Sequence, residues 1–204
     1  MIRPFRAMFT GSRDMLKLLH RYRRVLLSTT LVELRKRYAG SVFGKTWILL
    51  QPILLLLIYI FVYQVVFRMR IPGQEGTFYY TLFVFSGLIP YIGFQEAITS
   101  GCVSVKQNIH LVKNVILPIE LAPVRVVLFS LVTQLVGMAV LLLLVLIQQT
   151  YSWHLLLLPV VIGLQVLFTL GLCWILACLA IVLPDLTYFV NLSTFLFMFV
   201  SPIG

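Results

Sequence analysis

Apolar residues in this chain come in long uninterrupted runs, with the polar ones gathered between them. The pattern predicts an amphipathic helix followed by five membrane-spanning segments, an all-α integral membrane fold. Over residues 15–38, Met15, Leu19, Tyr22 and Leu26, then Leu27, Leu31, Leu34 and Tyr38, recur at helical spacing, while Lys17, Arg21 and Arg24 take the other face. A helix of this kind lies in the headgroup plane. Residues 46–67 carry no charge and extend about 33 Å as a helix, enough to cross a hydrocarbon core.

The second span covers residues 78–100. Tyr79 and Tyr80 open it at interface depth, and Gly87 and Pro90 predict a kink. Glu96 lies near its inner end and reads as a structural partner for the basic inner loop. Residues 105–124 are mixed, with Lys106, Asn108, His110, Lys113, Pro118, Glu120 and Pro123. They predict an ordered inner loop holding one short helix, which the prolines stop before the next span. A charged, ordered loop between spans is a docking surface. Spans follow at 126–147 and 155–183, joined by an aromatic, uncharged turn at 148–154. Gly163 and Gly171 in the latter allow close helix packing or tilt.

Pro184 and Asp185 turn the chain into a last run, 186–204, rich in phenylalanine. That run closes with neither a charged nor a polar flank, which reads as a chain interrupted before a further span. Two regions result: a basic cytoplasmic and interfacial segment, 1–45, and a transmembrane domain, 46–204, incomplete at its C-terminal end.

Charge orients the whole. Apolar residues make up 61% of the 204, charged ones only 11%, and mean hydropathy is +1.04, a membrane composition. Of the 16 basic residues, those from Arg3 through Lys45 (Arg3, Arg6, Arg13, Lys17, Arg21, Arg23, Arg24, Arg35, Lys36, Arg37, Lys45) precede the first long run. Basic residues flanking a first span stay on the cytoplasmic side, which places the N-terminus inside a multi-pass protein. A pI near 9.9 therefore reports topology and contact with anionic membrane lipids; no aromatic-basic groove or reading module points to nucleic acid. The three cysteines, Cys102, Cys173 and Cys178, suit neither a redox pair nor zinc and read as small buried side chains.

One spelling suggests an enzyme. Ala39, then Gly44, Lys45 and Thr46, satisfies a loose phosphate-loop pattern. A phosphate loop needs a strand before it and a helix N-terminus after it, so that backbone N–H groups converge on phosphate. Here a helical pattern precedes and a lipid-embedded run follows. The segment reads instead as the bend between the interfacial helix and the first span, with Gly40 and Gly44 permitting it and Trp47 anchoring it. The acids Glu75, Glu96, Glu120 and Asp185 are spread over different loops, and His20, His110 and His154 over different elements. No catalytic set and no metal-ligand cluster assembles. The spans offer almost no ionisable residue for proton coupling, so energy for transport has to arrive from another chain.

Three stretches, RYAGSVFGKTWILLQP, SGLIPYIGFQEAITSGCVSVKQNIHLVKNVILPIELAP, and LPDL followed by FLFMFVSPI, resemble the membrane permeases of ABC-2 polysaccharide exporters. The resemblance runs from about Leu18 onward, in order and with matching spacing. It implies a permease of the bacterial inner membrane that moves a lipid-linked glycan such as O-antigen, capsule or teichoic acid, and that pairs with a second copy of itself and two ATP-binding cassette subunits. No cofactor is expected on this chain, because ATP and magnesium would sit on the partner. Asn108, Leu111, Val112 and Lys113, with Pro118 and Glu120 in the turn after them, match the family's coupling segment. Arg37, Tyr38, Gly40, Gly44, Lys45 and Trp47 form the junction of the interfacial helix, the family's other cassette contact and a gate for glycan entry. Tyr59, Tyr63, Phe195 and Phe199 are candidates to line a channel between two copies, where sugars stack on aromatic faces. The other readings are an ABC-2 exporter of drugs or lipids and a membrane-bound enzyme of glycan assembly.

Overall fold

A computed structural model describes residues 12–66, 77–107, 118–149 and 153–200. All its regular structure is helical: α1 (Ser12–Arg37), α2 (Trp47–Ile60), α3 (Thr77–Gln107), α4 (Leu121–Ile147), α5 (Leu158–Val182) and α6 (Leu186–Val200). Short 3₁₀ turns precede α2 (Gly44–Thr46) and α5 (Trp153–Leu157), and a π-helical turn (Phe61–Val66) extends α2. Three stretches are long and apolar enough to cross a membrane: Thr81–Gln107, Leu121–Ile147 and Trp153–Val182. Gly44–Ile60 and Leu186–Val200 are shorter apolar helices.

The long central helix α3 organises the bundle, packing most extensively on α4 and α5, with α2 and α6 against it and α1 along α4. One apolar cluster joins Leu56 of α2, Leu82, Phe85, Leu88 and Ile89 of α3, and Met138 and Leu141 of α4. A second lies at the other half of α3, where Ala97, Ile98 and Cys102 meet Val127, Cys173, Ala180 and Val190. Leu26 of α1 closes a third over Leu121 and Val124. Outside these clusters large apolar side chains face outward, Val160, Leu164, Leu167 and Phe168 of α5 among them. A surface of that kind needs lipid or a partner to cover it.

Several elements differ from the sequence expectation. α3 continues past Ser100 to Gln107, because Ala97, Ile98, Cys102 and Ser104 are buried against neighbouring helices. The inner connection is correspondingly shorter than 105–124. α4 opens at Leu121, and Pro123 lies within its first turn, where a missing N–H breaks no helical bond. The apolar face of α1 also splits in two: Leu26, Leu34 and Tyr38 are buried, whereas Leu27 and Leu31 point away from the bundle, 59% and 54% exposed.

The close helix approaches are not at Gly163 and Gly171, where an added Cβ would meet nothing within 4 Å. They are at Gly93, whose Cβ would lie 2.5 Å from Gln134 Oε1, at Gly101, 2.5 Å from Cys173 Sγ, and at Gly137, 3.2 Å from Ile89. These are positions where α3 meets α4 and α5, so the small residues serve the central helix rather than the outer one.

Candidate functional site

The junction between α1 and α2 is a chain of tight turns. Backbone N–H groups of Ala39, Ser41, Gly44 and Thr46 donate to the carbonyls of Lys36, Tyr38, Ser41 and Phe43 at 3.1–3.4 Å. Gly40 (φ +84°) and Gly44 (φ +51°) both take left-handed conformations, which glycine adopts without steric cost. The Thr46 hydroxyl donates to the Phe43 carbonyl at 2.6 Å. These four amides and the Thr46 hydroxyl are thus consumed within the turn rather than aimed at a ligand. Trp47 packs edge-on against Phe43, ring centroids 5.8 Å apart, and Lys45 is exposed.

Next to this turn, the last residue of α1 reaches into the bundle. The Arg37 guanidinium pairs with the Glu96 carboxylate of α3 and lies over the Phe129 ring of α4, 5.1 Å from its centroid. The other carboxylate oxygen of Glu96 accepts from the Thr133 hydroxyl at 2.7 Å. Glu96 therefore meets α1 and α4. One turn earlier, Glu33 pairs with Arg125 at 3.4 Å; Arg125 is buried, a burial that a charge tolerates only when partnered. The Tyr38 hydroxyl is buried with no hydrogen-bond partner. Burial raises the Tyr38 phenol above its ordinary pKa, the neighbouring Arg37 opposes that, and Glu96 adds to it.

A second polar group ties α3, α4 and α5. Gln134 Nε2 donates to Gln165 Oε1 at 2.9 Å, and Gln165 Nε2 donates to the Pro90 carbonyl at 2.9 Å. With Ser130 and Thr169 these side chains border a cavity of about 10 Å³, room for one water.

The expected coupling segment is seen at one end. Asn108, Leu111, Val112 and Lys113 lie outside the described residues. Pro118 accepts from the Leu121 backbone at 3.0 Å, and the Glu120 carbonyl accepts from the Trp174 indole of α5 at 3.0 Å. The segment thus ends on an anchored turn at the foot of α4. Of the aromatic candidates, Phe195 and Phe199 are exposed and pack edge-to-face on each other, centroids 5.1 Å apart. Tyr59 instead packs against the cluster of Leu56 and Phe85, and the Tyr63 side chain lies outside the described residues.

Sequence reasoning missed the Arg37–Glu96 pair and the Gln134–Gln165 tie. An acid and two glutamines inside otherwise apolar runs were the available signal, since polar side chains at membrane depth find partners on facing helices.

No family model matches the chain. Curated relatives do. An O-antigen export system permease protein RfbA of Myxococcus xanthus is 33% identical over 186 residues, 91% of this chain and 69% of that protein. Two proteins of the same name from Klebsiella pneumoniae are 30% and 29% identical over 182 residues, each covering 88% of this chain and 68% of the relative.

Proposed function

This chain belongs to the family of O-antigen export system permease proteins, and we propose that it is the membrane subunit of an ATP-binding cassette exporter moving lipid-linked polysaccharide across the bacterial inner membrane. The observation that carries the reading is the match along 91% of the chain to a permease of that name. In this reading the chain is a transporter subunit rather than an enzyme. Its acids agree with that role, because Glu33 and Glu96 are committed to pairs with Arg125 and Arg37.

Two copies form the pathway, and two cassette subunits bind magnesium and ATP on the cytoplasmic side. The helices α2 to α6 are five spans, with the basic N-terminus inside. The segment holding Asn108, Leu111, Val112 and Lys113 receives the cassette, and its anchor at Pro118 and Glu120 passes the motion to α4 and α5. The junction from Arg37 to Trp47 is the second contact. Phe195 and Phe199, exposed on α6, face the glycan. Exposed aromatic faces suit sugar C–H edges.

Vesicles carrying the permease and its cassette partner test this. Lipid-linked glycan should cross in the presence of ATP, and stop when the partner's phosphate-loop lysine is replaced. Transport that persists without a working partner would contradict the assignment.

A further inference from the structure

α1 is bonded covalently to α2 but is tied by charge to α3 and α4. Two ion pairs join it to the bundle, Glu33 to Arg125 and Arg37 to Glu96, and Thr133 holds the second oxygen of Glu96. Leu26 seats it on Leu121 and Val124. Between α1 and α2, by contrast, stand the left-handed glycines Gly40 and Gly44, around which an added Cβ would meet nothing within 4 Å. Apolar contacts let one helix slide over another, whereas directed bonds between a guanidinium, a carboxylate and a hydroxyl fix its register. The Glu96 side chain is only 17% exposed, so removing its partner strands a charge in an apolar wall.

Resting on the reading above, we propose that Arg37, Glu96 and Thr133 form a polar latch that makes α1 move as one body with α3 and α4. A displacement of α1 driven from the cassette side then enters the bundle at Glu96, and the Gly40 to Gly44 turn absorbs the rotation relative to α2. All three are positioning residues: they touch neither glycan nor nucleotide.

The test uses the complete permease–cassette complex. E96Q should lower glycan export about tenfold while cassette co-purification and ATP hydrolysis stay within about twofold of wild type. T133S should export normally and T133V poorly, and the exchange R37E/E96R should recover export that R37E alone loses. Wild-type export by E96Q and T133V overturns the latch. So does a loss of export that tracks loss of the assembled complex and is not recovered by the exchange.

A second measurement does not depend on the cargo. With Cys178 replaced by serine, spin labels at Ser28→Cys on α1 and Ser86→Cys on α3 should keep one separation with and without trapped nucleotide, and that separation should broaden in E96Q. A wild-type separation that shifts with nucleotide overturns the latch. An assembled, ATP-hydrolysing wild-type complex that moves no glycan overturns the functional reading instead, leaving the latch to the distance measurement.

Discussion

Gln134 and Gln165 hold each other across α4 and α5, with Nε2 of Gln134 donating to Oε1 of Gln165 at 2.9 Å. Gln165 also donates to the carbonyl of Pro90, so one side chain joins three helices. Gln165→Leu should destabilise the protein by about 1 kcal/mol, a typical cost for a hydrogen bond between membrane helices. Gln134→Leu combined with it should cost less than the two singles added, because the pair shares its bonds. Unfolding in mixed micelles measures both, and additive losses would contradict the shared network.

Gly101→Ala places a methyl group 2.5 Å from the sulfur of Cys173, which is completely buried. The expected loss is about 1–3 kcal/mol, the usual range for overpacking. Cys173→Ala in the same chain should recover part of it. Gly163→Ala, with open space around the new methyl, should be tolerated. Thermal denaturation of the four proteins side by side checks the order.

Tyr38→Phe removes a buried hydroxyl that has no partner, so stability should stay level or rise by about 1 kcal/mol. Burial raises the pKa of Tyr38, and the sign of the pH effect follows. The neutral phenol's contribution is complete below its ordinary value of about 10 and is lost as pH rises through the higher folded value. The phenylalanine variant should therefore lose less stability than wild type in strongly alkaline buffer.

Asn108→Ala with Lys113→Glu should reduce cassette co-purification and export together, since both residues lie in the segment proposed to receive the cassette. A pull-down of the tagged cassette, quantified against expression of the permease, measures it. Unchanged recovery with normal export would remove these residues from the contact.

Much of the fold was legible because lipid imposes a simple rule. The ends of α4 and α6 at Ile147 and Leu186 are places where apolar runs stop or start, and the bend at Gly40 and Gly44 follows from residue type. What escaped depends on neighbours. The continuation of α3 past Ser100 to Gln107 rests on burial of Cys102 and Ser104 against other helices, which no local pattern encodes. Gly163 and Gly171 had the composition for close packing, but composition marks a capacity and not a location; Gly93, Gly101 and Gly137 use it. α1 was read with one apolar face because a single stripe is the simplest periodic solution. A helix that touches both protein and lipid needs two, and Leu27 and Leu31 form the second. The Arg37–Glu96 pair joins residues 59 positions apart, a separation at which charge in the sequence carries no geometry.

The most direct measurement of the central assignment is surface polysaccharide in the host after deletion of the gene for this chain, with the cassette gene intact. The expected result is loss of the surface polymer, accumulation of lipid-linked glycan on the cytoplasmic face, and recovery of both when the gene is returned. Unchanged surface polymer, with no lipid-linked glycan accumulating inside, would contradict the account.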